Sequence, residues 1–266
     1  MIETDKELIK NIVMKGKRLD KRAFDEYRKI AIESGVISSA EGSARVRIGD
    51  TEVVAGVKMD IGEPYPDSKD AGVLTVNAEF LPLASEEFES GPPREDSIEL
   101  ARVVDRAIRE SKCIDFKKLC IEEGKKVWMV FVDISVIDHD GNLIDAAGLA
   151  SVQALASARM PKLIKNKDSY EVDYENRSKE KLPMSGIPVS TTFVKIGGQI
   201  MADPLLSEEL AMDARLTVGT FDSNGKIRFC SMQKGGNGGF TEDEIAAILD
   251  MAEEKGEELR KLIKKG

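Results

Sequence analysis

The sequence is short of the side chains on which most hydrolytic sites depend. Its 266 residues include one histidine, His139, and three cysteines, Cys113, Cys120 and Cys230, none of which belongs to a CxxC pair. His139 lies in the run Asp-His-Asp-Gly-Asn at 138–142, a composition typical of a turn. A Ser-His-Asp or Cys-His mechanism would have to use this histidine, so most hydrolase mechanisms are disfavoured. The odd cysteine count indicates reduced thiols and predicts a cytoplasmic protein.

Aromatic residues are also scarce, at 5% with a single tryptophan, Trp128. A carbohydrate-binding cleft or a stacking platform for single-stranded nucleic acid would usually need more. The net charge of −9 excludes a uniformly basic nucleic-acid-binding protein but leaves room for a local basic patch. No apolar run approaches the roughly 18 residues of a membrane span, so no membrane contact is expected. With 41% hydrophobic and 33% charged residues, the chain can form a sizeable core.

The order of predicted elements indicates an α/β (α+β) protein in which two related lobes, each a β-sheet with helices, pack together. In each half, runs with strand periodicity precede runs with helical periodicity, and a polar, charged break separates the halves. We interpret this break as a linker or surface arm. The predicted segments are an N-terminal helical extension (1–30), a first lobe (31–164), the charged linker (165–185) and a second lobe with a C-terminal helix (186–266).

Local signals place several elements within the lobes. An apolar stripe predicts a helix at about 96–111, and an alanine-rich run predicts another at about 146–159, ended by Pro161. Ser223-Asn224-Gly225-Lys226 predicts a hairpin turn in the second lobe. Thr241 and Glu244 form a capping box at the start of the C-terminal helix.

Three arginines recur on one face of the helix predicted at about 96–111. Arg102, Arg106 and Arg109 follow the i, i+4, i+7 spacing, opposite the apolar stripe. Guanidinium groups suit phosphate because their planar donors can engage two oxygens at once. Glu95 and Glu99 lie along the same face, and spacing alone favours a solvated ion-pair surface.

Two acidic motifs could hold a metal or act as an acid. In the run at 138–145, Leu143 and Ile144 interrupt the carboxylates, so a plain turn is favoured over a cation loop. Asp213, just before a predicted strand, could be a general acid, but by itself it is one of many surface carboxylates. Neither motif predicts a metal site.

A glycine-rich loop at 235–239 precedes the C-terminal helix. Successive backbone N–H groups before a helix can hold an anion. No Lys-Ser or Lys-Thr follows, so the loop is not a P-loop. A strand-to-helix connection that needs positive φ angles is the favoured interpretation.

Several stretches occur in one order across nearly the whole chain, and their combination is more specific than any single piece. They are residues 22–28, 41–46, 49–51, 98–106, 140–147 and 208–213. This combination resembles the RNase PH family, and within it the non-catalytic ring subunits of the archaeal exosome. The charged break also falls where that family joins its two lobes.

The resemblance implies an RNase PH-like fold and a role in RNA degradation and processing. Proteins of this family degrade RNA from the 3′ end by phosphorolysis, in which inorganic phosphate attacks the terminal linkage and releases nucleoside diphosphates. This type of subunit would alternate with a catalytic sister subunit in a hetero-hexameric ring, a trimer of heterodimers. Single-stranded RNA would enter the central channel, and RNA-binding cap proteins would sit on one face. The chain itself would bind no cofactor; inorganic phosphate would be the co-substrate at the sister subunit.

The resemblance also implies which residues act. Catalytic members carry a Gly-Gly-Thr-Arg-like loop whose arginine grips phosphate, whereas the corresponding Gly141-Asn142-Leu143 has no arginine. We therefore expect no catalytic residue and no enzyme activity of this chain alone, even though Asp213 lies near the position of a family acid. Arg102 and Arg106 match arginines that such subunits lend to RNA phosphates near the heterodimer interface, so both are predicted RNA-binding residues. Arg109 matches less well.

Two alternatives stay open. One is a self-sufficient phosphorolytic 3′-5′ exoribonuclease that uses Asp213 and the glycine-rich loop. The other is a pure scaffold subunit without RNA contact, in which the arginines only form ion pairs.

Overall fold

The first lobe contains a mixed six-stranded sheet and two helices. In the computed structural model, which describes residues 3–165, 170–223 and 225–263, five strands follow the order β1-β2-β3-β6-β4, and β5 pairs with β6. β4 runs parallel to β6, and the other pairs are antiparallel. The elements are β1 (Ile30–Ser34), β2 (Gly42–Ile48), β3 (Thr51–Gly62), β4 (Val73–Phe80), α2 (Glu95–Ser111), β5 (Cys120–Glu122), β6 (Lys126–Asp138) and α3 (Leu143–Ser157), after the N-terminal helix α1 (Glu3–Met14).

The second lobe contains a four-stranded antiparallel sheet with the order β10-β9-β11-β12. Its elements are β9 (Pro188–Ile196), β10 (Gln199–Ala202), α4 (Leu206–Ala211), β11 (Ala214–Ser223), β12 (Lys226–Gly235) and α5 (Glu242–Leu262). Helix α1 packs on this lobe through Ile9 and Val13, which share a buried cluster with Val194, Ile196 and Met201. The fold is therefore the predicted pair of sheet-plus-helix lobes.

Helix α3 lies between the lobes and contacts β2, β3 and β9. Every residue from Leu143 to Leu155 is buried. Alanine, glycine and serine dominate the helix, and their small side chains allow both sheets to approach it closely. At Gly42 of β2 a side chain would collide with the backbone of Ala154 and Ala158, so the closest approach requires glycine. This shared core positions the N-terminus of α3 at the lobe boundary.

The charged segment at 165–185 contains strand β8 (Tyr170–Lys181), which pairs antiparallel with β7 (Arg159–Lys165) in a separate two-stranded sheet. Most of the described part of this segment is therefore a regular β-strand, which belongs to a surface arm. Pro161 lies inside β7, so it does not end the preceding helix as predicted; α3 ends at Ser157.

Two further predictions differ in detail. The alanine-rich helix begins at Leu143, three residues before the predicted start, so Leu143 and Ile144 form its first turn and do not belong to the predicted turn at 138–145. The predicted hairpin at 223–226 joins β11 to β12, but Asn224 lies outside the described residues. No helix in the described part of the chain is both long and apolar enough to cross a membrane.

Candidate nucleic-acid interface and the N-terminus of helix α3

The arginine face of α2 lies opposite its buried apolar face. Leu100, Val104 and Ile108 are buried in the core of the first lobe, whereas Arg102 and Arg106 are exposed. The helix thus follows the predicted stripe and begins at Glu95, within one residue of the predicted start.

The three arginines differ in their partners. Arg109 donates to Asp105, with 2.6 Å between Nη2 and Oδ1, and to the backbone carbonyl of Leu74. Among the described residues, neither Arg102 nor Arg106 forms an ion pair or hydrogen bond, and Glu99 pairs with Arg215 instead. The ion-pair interpretation therefore applies to Arg109, while the other two guanidinium groups keep their donors available.

Two neighbouring grooves meet at the arginine pair Arg102 and Arg106. One groove, of about 430 Å³, is bounded by edge strand β4, Tyr65 and Arg109. The other, of about 350 Å³, includes Gln233 of the second lobe. Both arginines line both grooves, so they stand between them. Such a pair can contact the phosphates of a nucleic-acid strand that lies along either groove.

The N-terminus of α3 is capped by the protein's own carboxylates. Asn142 is buried and adopts the left-handed conformation, with φ 55° and ψ 42°. Its backbone N–H donates to Oε1 of Glu209 at 2.9 Å, and its side-chain amide donates to Asp145 and Asp203. Burial raises the pKa of Glu209 to about 7, although the Asn142 N–H favours its ionised form. The place where a helix N-terminus could hold an anion is thus filled by Glu209.

Arg28 lies beside this loop, and its donors are engaged within the protein. It forms a bidentate pair with Asp203, with both N–O distances at 2.9 Å, and also donates to the backbone carbonyls of Asp140 and Gly141. Burial alone would raise the pKa of Asp203, but the hydrogen bonds from Arg28 hold it below its usual value. Arg28 is therefore a structural residue of the loop.

A second buried pair fastens the same region to α4. Arg18 donates through Nε and Nη2 to the carboxylate of Glu208, at 3.0 and 2.6 Å, and also to the carbonyls of Ala202 and Asp203. Its side chain has no exposed surface. Sequence reasoning missed this network because its members lie up to 190 residues apart.

Asp145 links the two lobes from within α3. It accepts hydrogen bonds from the Tyr27 hydroxyl and from the backbone N–H and hydroxyl of Thr192 in β9. Burial raises the pKa of Asp145 to about 6, against the effect of these donors. Asp145 thus belongs to a buried structural network and not to an exposed metal loop.

Asp213 directly precedes β11 and contacts α1 through Lys10. It accepts from Lys10 at 2.7 Å and from the Gly197 N–H at 2.8 Å. Partial burial would raise its pKa, but these two donors lower it. A carboxylate held ionised in this way ties α1 to the β9–β10 turn and is poorly suited to act as a general acid.

The glycine-rich loop folds back on the backbone next to Asp213. Gly236 has φ of 75°, and the Gly238 N–H donates to the Asp213 carbonyl at 2.7 Å. A Cβ at Gly238 would press against that same carbonyl. These contacts support the interpretation as a strand-to-helix connection. Thr241 then caps α5 by accepting from the Glu244 N–H, as predicted.

His139 also has a structural setting. Its ring stacks on Phe88, with centroids 5.4 Å apart, and Nδ1 accepts from the Gly141 N–H. Burial lowers the pKa of His139. Within the described residues, no group of three or more His, Cys, Asp or Glu side chains is placed to hold a metal ion.

The fold and these sites define a two-lobed α+β protein with an arginine-lined groove and a self-capped helix at the lobe boundary. The 3′ exoribonuclease family models match it in both lobes, domain 1 over residues 26–161 and domain 2 over residues 186–255. The chain therefore belongs to the RNase PH family of 3′ exoribonucleases.

Similar proteins agree with this family. The exosome complex component Rrp42 of Methanocella arvoryzae is 51% identical over 258 residues, covering 97% of this chain and 95% of its own. The Rrp42 component of Pyrococcus horikoshii is 49% identical, with 95% and 91% covered. Among solved structures, a chain of the Archaeoglobus fulgidus exosome with RNA bound to the active site has 42% identity, a TM-score of 0.86 and 98% coverage of both chains. A chain of an archaeal exosome core has 41% identity and a TM-score of 0.82, with 97% and 95% covered.

Proposed function

We propose that this chain is a non-catalytic, RNA-contacting subunit of an exosome ring, a phosphate-dependent 3′-5′ exoribonuclease. The names of the similar archaeal proteins and the fit to exosome chains over nearly the full length support the assignment to an exosome. The single observation that carries RNA contact is the exposed pair Arg102 and Arg106, whose donors are free of ion pairs among the described residues.

The geometry of α3 supports a non-catalytic role. An incoming phosphate would meet the Glu209 carboxylate at the helix N-terminus, and Arg28 has its donors bound to Asp203 and to carbonyl groups. A phosphoryl transition state needs cations or free N–H donors to stabilise its charge. This arrangement withholds both, so we assign no catalytic residue to the chain.

The two alternatives have less support. A self-sufficient nuclease would rely on Asp213, which is bound to Lys10, and on the glycine-rich loop, which folds onto its own backbone. A scaffold without RNA contact would need the α2 arginines to be ion-paired; among the described residues Arg109 is, and Arg102 and Arg106 are not.

The remaining parts of the proposal follow from the same assignment. The partners are a catalytic RNase PH-like sister subunit, single-stranded RNA and RNA-binding cap proteins. Inorganic phosphate is the co-substrate at the sister subunit, and this chain binds no cofactor. The three cysteines, which are all free thiols, fit a reducing cytoplasm.

The test compares the purified chain, its sister subunit and the assembled ring. With RNA and inorganic phosphate, we expect nucleoside diphosphate release from the ring and none from this chain. Robust release by the chain alone would overturn the non-catalytic assignment.

A charge-reversal pair tests the arginines. Arg102→Glu with Arg106→Glu should slow degradation by the ring while size-exclusion chromatography with light scattering shows intact assembly. Lys226→Glu with Lys261→Glu is the matched control, because it makes the same change in net charge at two exposed sites of the second lobe. Equal rates for both double variants would remove the RNA-contact assignment.

A further inference from the structure

We propose that Tyr65 forms a nucleobase-stacking subsite next to the arginine pair, so that the groove along β4 holds both the phosphate and a base of single-stranded RNA. This inference rests on the proposed function and deepens it, because it names the chemical group that occupies the groove beyond the phosphate contact.

The first observation is the exposure of the ring. Tyr65 is 55% exposed, whereas Tyr27 is partly buried and its hydroxyl donates to the buried Asp145. Large aromatic side chains are usually buried, because this removes their apolar surface from water. Tyr65 instead lines the same groove, of about 430 Å³, as Arg102 and Arg106. An exposed ring beside two unpaired guanidinium groups provides both a flat apolar face and cations.

The second observation is the backbone that holds the ring. Tyr65 stands between Pro64 and Pro66, and proline restricts both its own φ and the conformation of the residue before it. The Ser68 N–H donates to the Tyr65 carbonyl at 3.1 Å, which closes a turn in the β3–β4 connection. The backbone that carries the ring is therefore restricted before any ligand binds, so less backbone freedom is lost when a ligand stacks on the ring.

The surroundings of Tyr65 select the class of ligand. Besides the arginines, the groove is lined by Asp105 and Glu110, so the site is too polar for an apolar peptide face. A nucleotide combines a flat base with a phosphate, and this combination matches one aromatic ring beside two cations. Every base has a π-face, so such a subsite accepts any sequence.

The low aromatic content is compatible with this subsite. With 5% aromatic residues the chain has too few rings for an extended stacking platform, but a single base needs a single ring. The signal in the sequence was the isolated tyrosine between two prolines, and only the fold places it beside α2.

The experiment measures RNA binding to the assembled ring without phosphate, so that phosphorolysis cannot consume the ligand. Tyr65→Ala should weaken the affinity for a short oligoribonucleotide about tenfold, and Tyr65→Phe should retain it, because stacking needs the ring and not the hydroxyl. Tyr174→Ala, at another exposed tyrosine on β8, is the matched control and should bind as the wild type does.

An abasic scan identifies the base that stacks. At one position of the oligonucleotide, removing the base should reduce binding to the wild type but have little further effect on Tyr65→Ala, because both changes remove the same contact. Losses that add at every position would overturn the subsite.

Two other outcomes also overturn it. If light scattering shows that Tyr65→Ala dissociates the hexameric assembly, the Tyr65 side chain contacts a protein partner and not RNA. If Arg102→Glu with Arg106→Glu weakens binding while Tyr65→Ala does not, the subsite is rejected and the proposed function stands. If Arg102→Glu with Arg106→Glu leaves RNA binding unchanged, the RNA contact in the proposed function is rejected instead.

Discussion

The backbone N–H of Asn142 donates a hydrogen bond to the carboxylate of Glu209, so α4 supplies the anion that caps the first turn of α3. The stabilising effect of a helix dipole on an anion is therefore used inside the protein. Because burial raises the pKa of Glu209 to about 7, this contact makes folding sensitive to pH near neutrality.

The first prediction concerns Glu209→Gln. The folded-state pKa of Glu209 is raised, so the folded protein binds more protons than the unfolded chain between about pH 4.5 and 7, and stability falls as the pH rises through this range. Glutamine keeps an acceptor for Asn142 but does not titrate. As the pH rises from 5 to 8, the free energy of unfolding of the variant minus that of wild type should increase by about 1–3 kcal/mol, measured by urea denaturation. A difference that does not vary with pH would contradict this assignment.

Arg28→Ala should be strongly destabilising, because Asp203 then stays buried without its bidentate partner and keeps a single-point ion pair with Arg22. We expect a loss of about 3–5 kcal/mol in the free energy of unfolding. Arg45→Ala is the control: Arg45 pairs with Glu33 and Glu52 at a side-chain exposure of 44%, and its loss should cost less than about 1 kcal/mol. Similar losses for the two variants would show that the Arg28 pair is not buried in solution.

The salt dependence of RNA binding should separate the three arginines of α2. Each phosphate contact on single-stranded nucleic acid contributes about 0.7 to the slope of log affinity against log salt concentration, so Arg102→Ala with Arg106→Ala should reduce the slope by about 1.4. Arg109→Ala should change it less, because Arg109 is already paired with Asp105. An unchanged slope for the double variant would argue for contacts outside the phosphate backbone.

Gly42→Ala should disturb the packing of α3 on β2. The added methyl group would meet the backbone of Ala154 and Ala158, which cannot move aside as a flexible side chain could. We expect a loss of about 1–3 kcal/mol. Gly239→Ala places the same methyl group in open space and should stay within about 1 kcal/mol of wild type. Thermal or urea denaturation of both variants gives the comparison.

Sequence patterns within a short stretch of chain were enough to predict some of the helices. The apolar stripe and polar face located α2 to within one residue, and the Thr241 capping box marked the start of α5. The start of α3 was predicted three residues late, because Leu143 and Ile144 belong to the acidic run at 138–145, which predicts a turn. A left-handed Asn142 and its contact with Glu209 decide that they are helical, and neither is visible in a local window.

Some residues of the candidate site could likewise be found from local sequence patterns, and others only from the fold. The arginine stripe could be read from spacing, and its proposed role came from the family resemblance. The Arg28–Asp203 pair spans 175 residues, so only the fold brings it together. Strand β8 alternates apolar and acidic residues from Tyr170 to Tyr174 but is polar or charged at every position beyond, and its pairing with β7 accounts for its full length.

Helix α3 is buried along nearly its whole length, since its residues from Leu143 to Leu155 lie between β2 and β3 on one side and β9 on the other. Each lobe therefore completes the core of the other. We expect amides of β2 and of β9 to exchange with deuterium through one shared opening reaction of equal free energy, as parts of one cooperative unit. Two separate opening energies would mean that the lobes unfold independently. An assembly that contains such a subunit therefore incorporates one cooperative folding unit, and not two domains joined by a hinge.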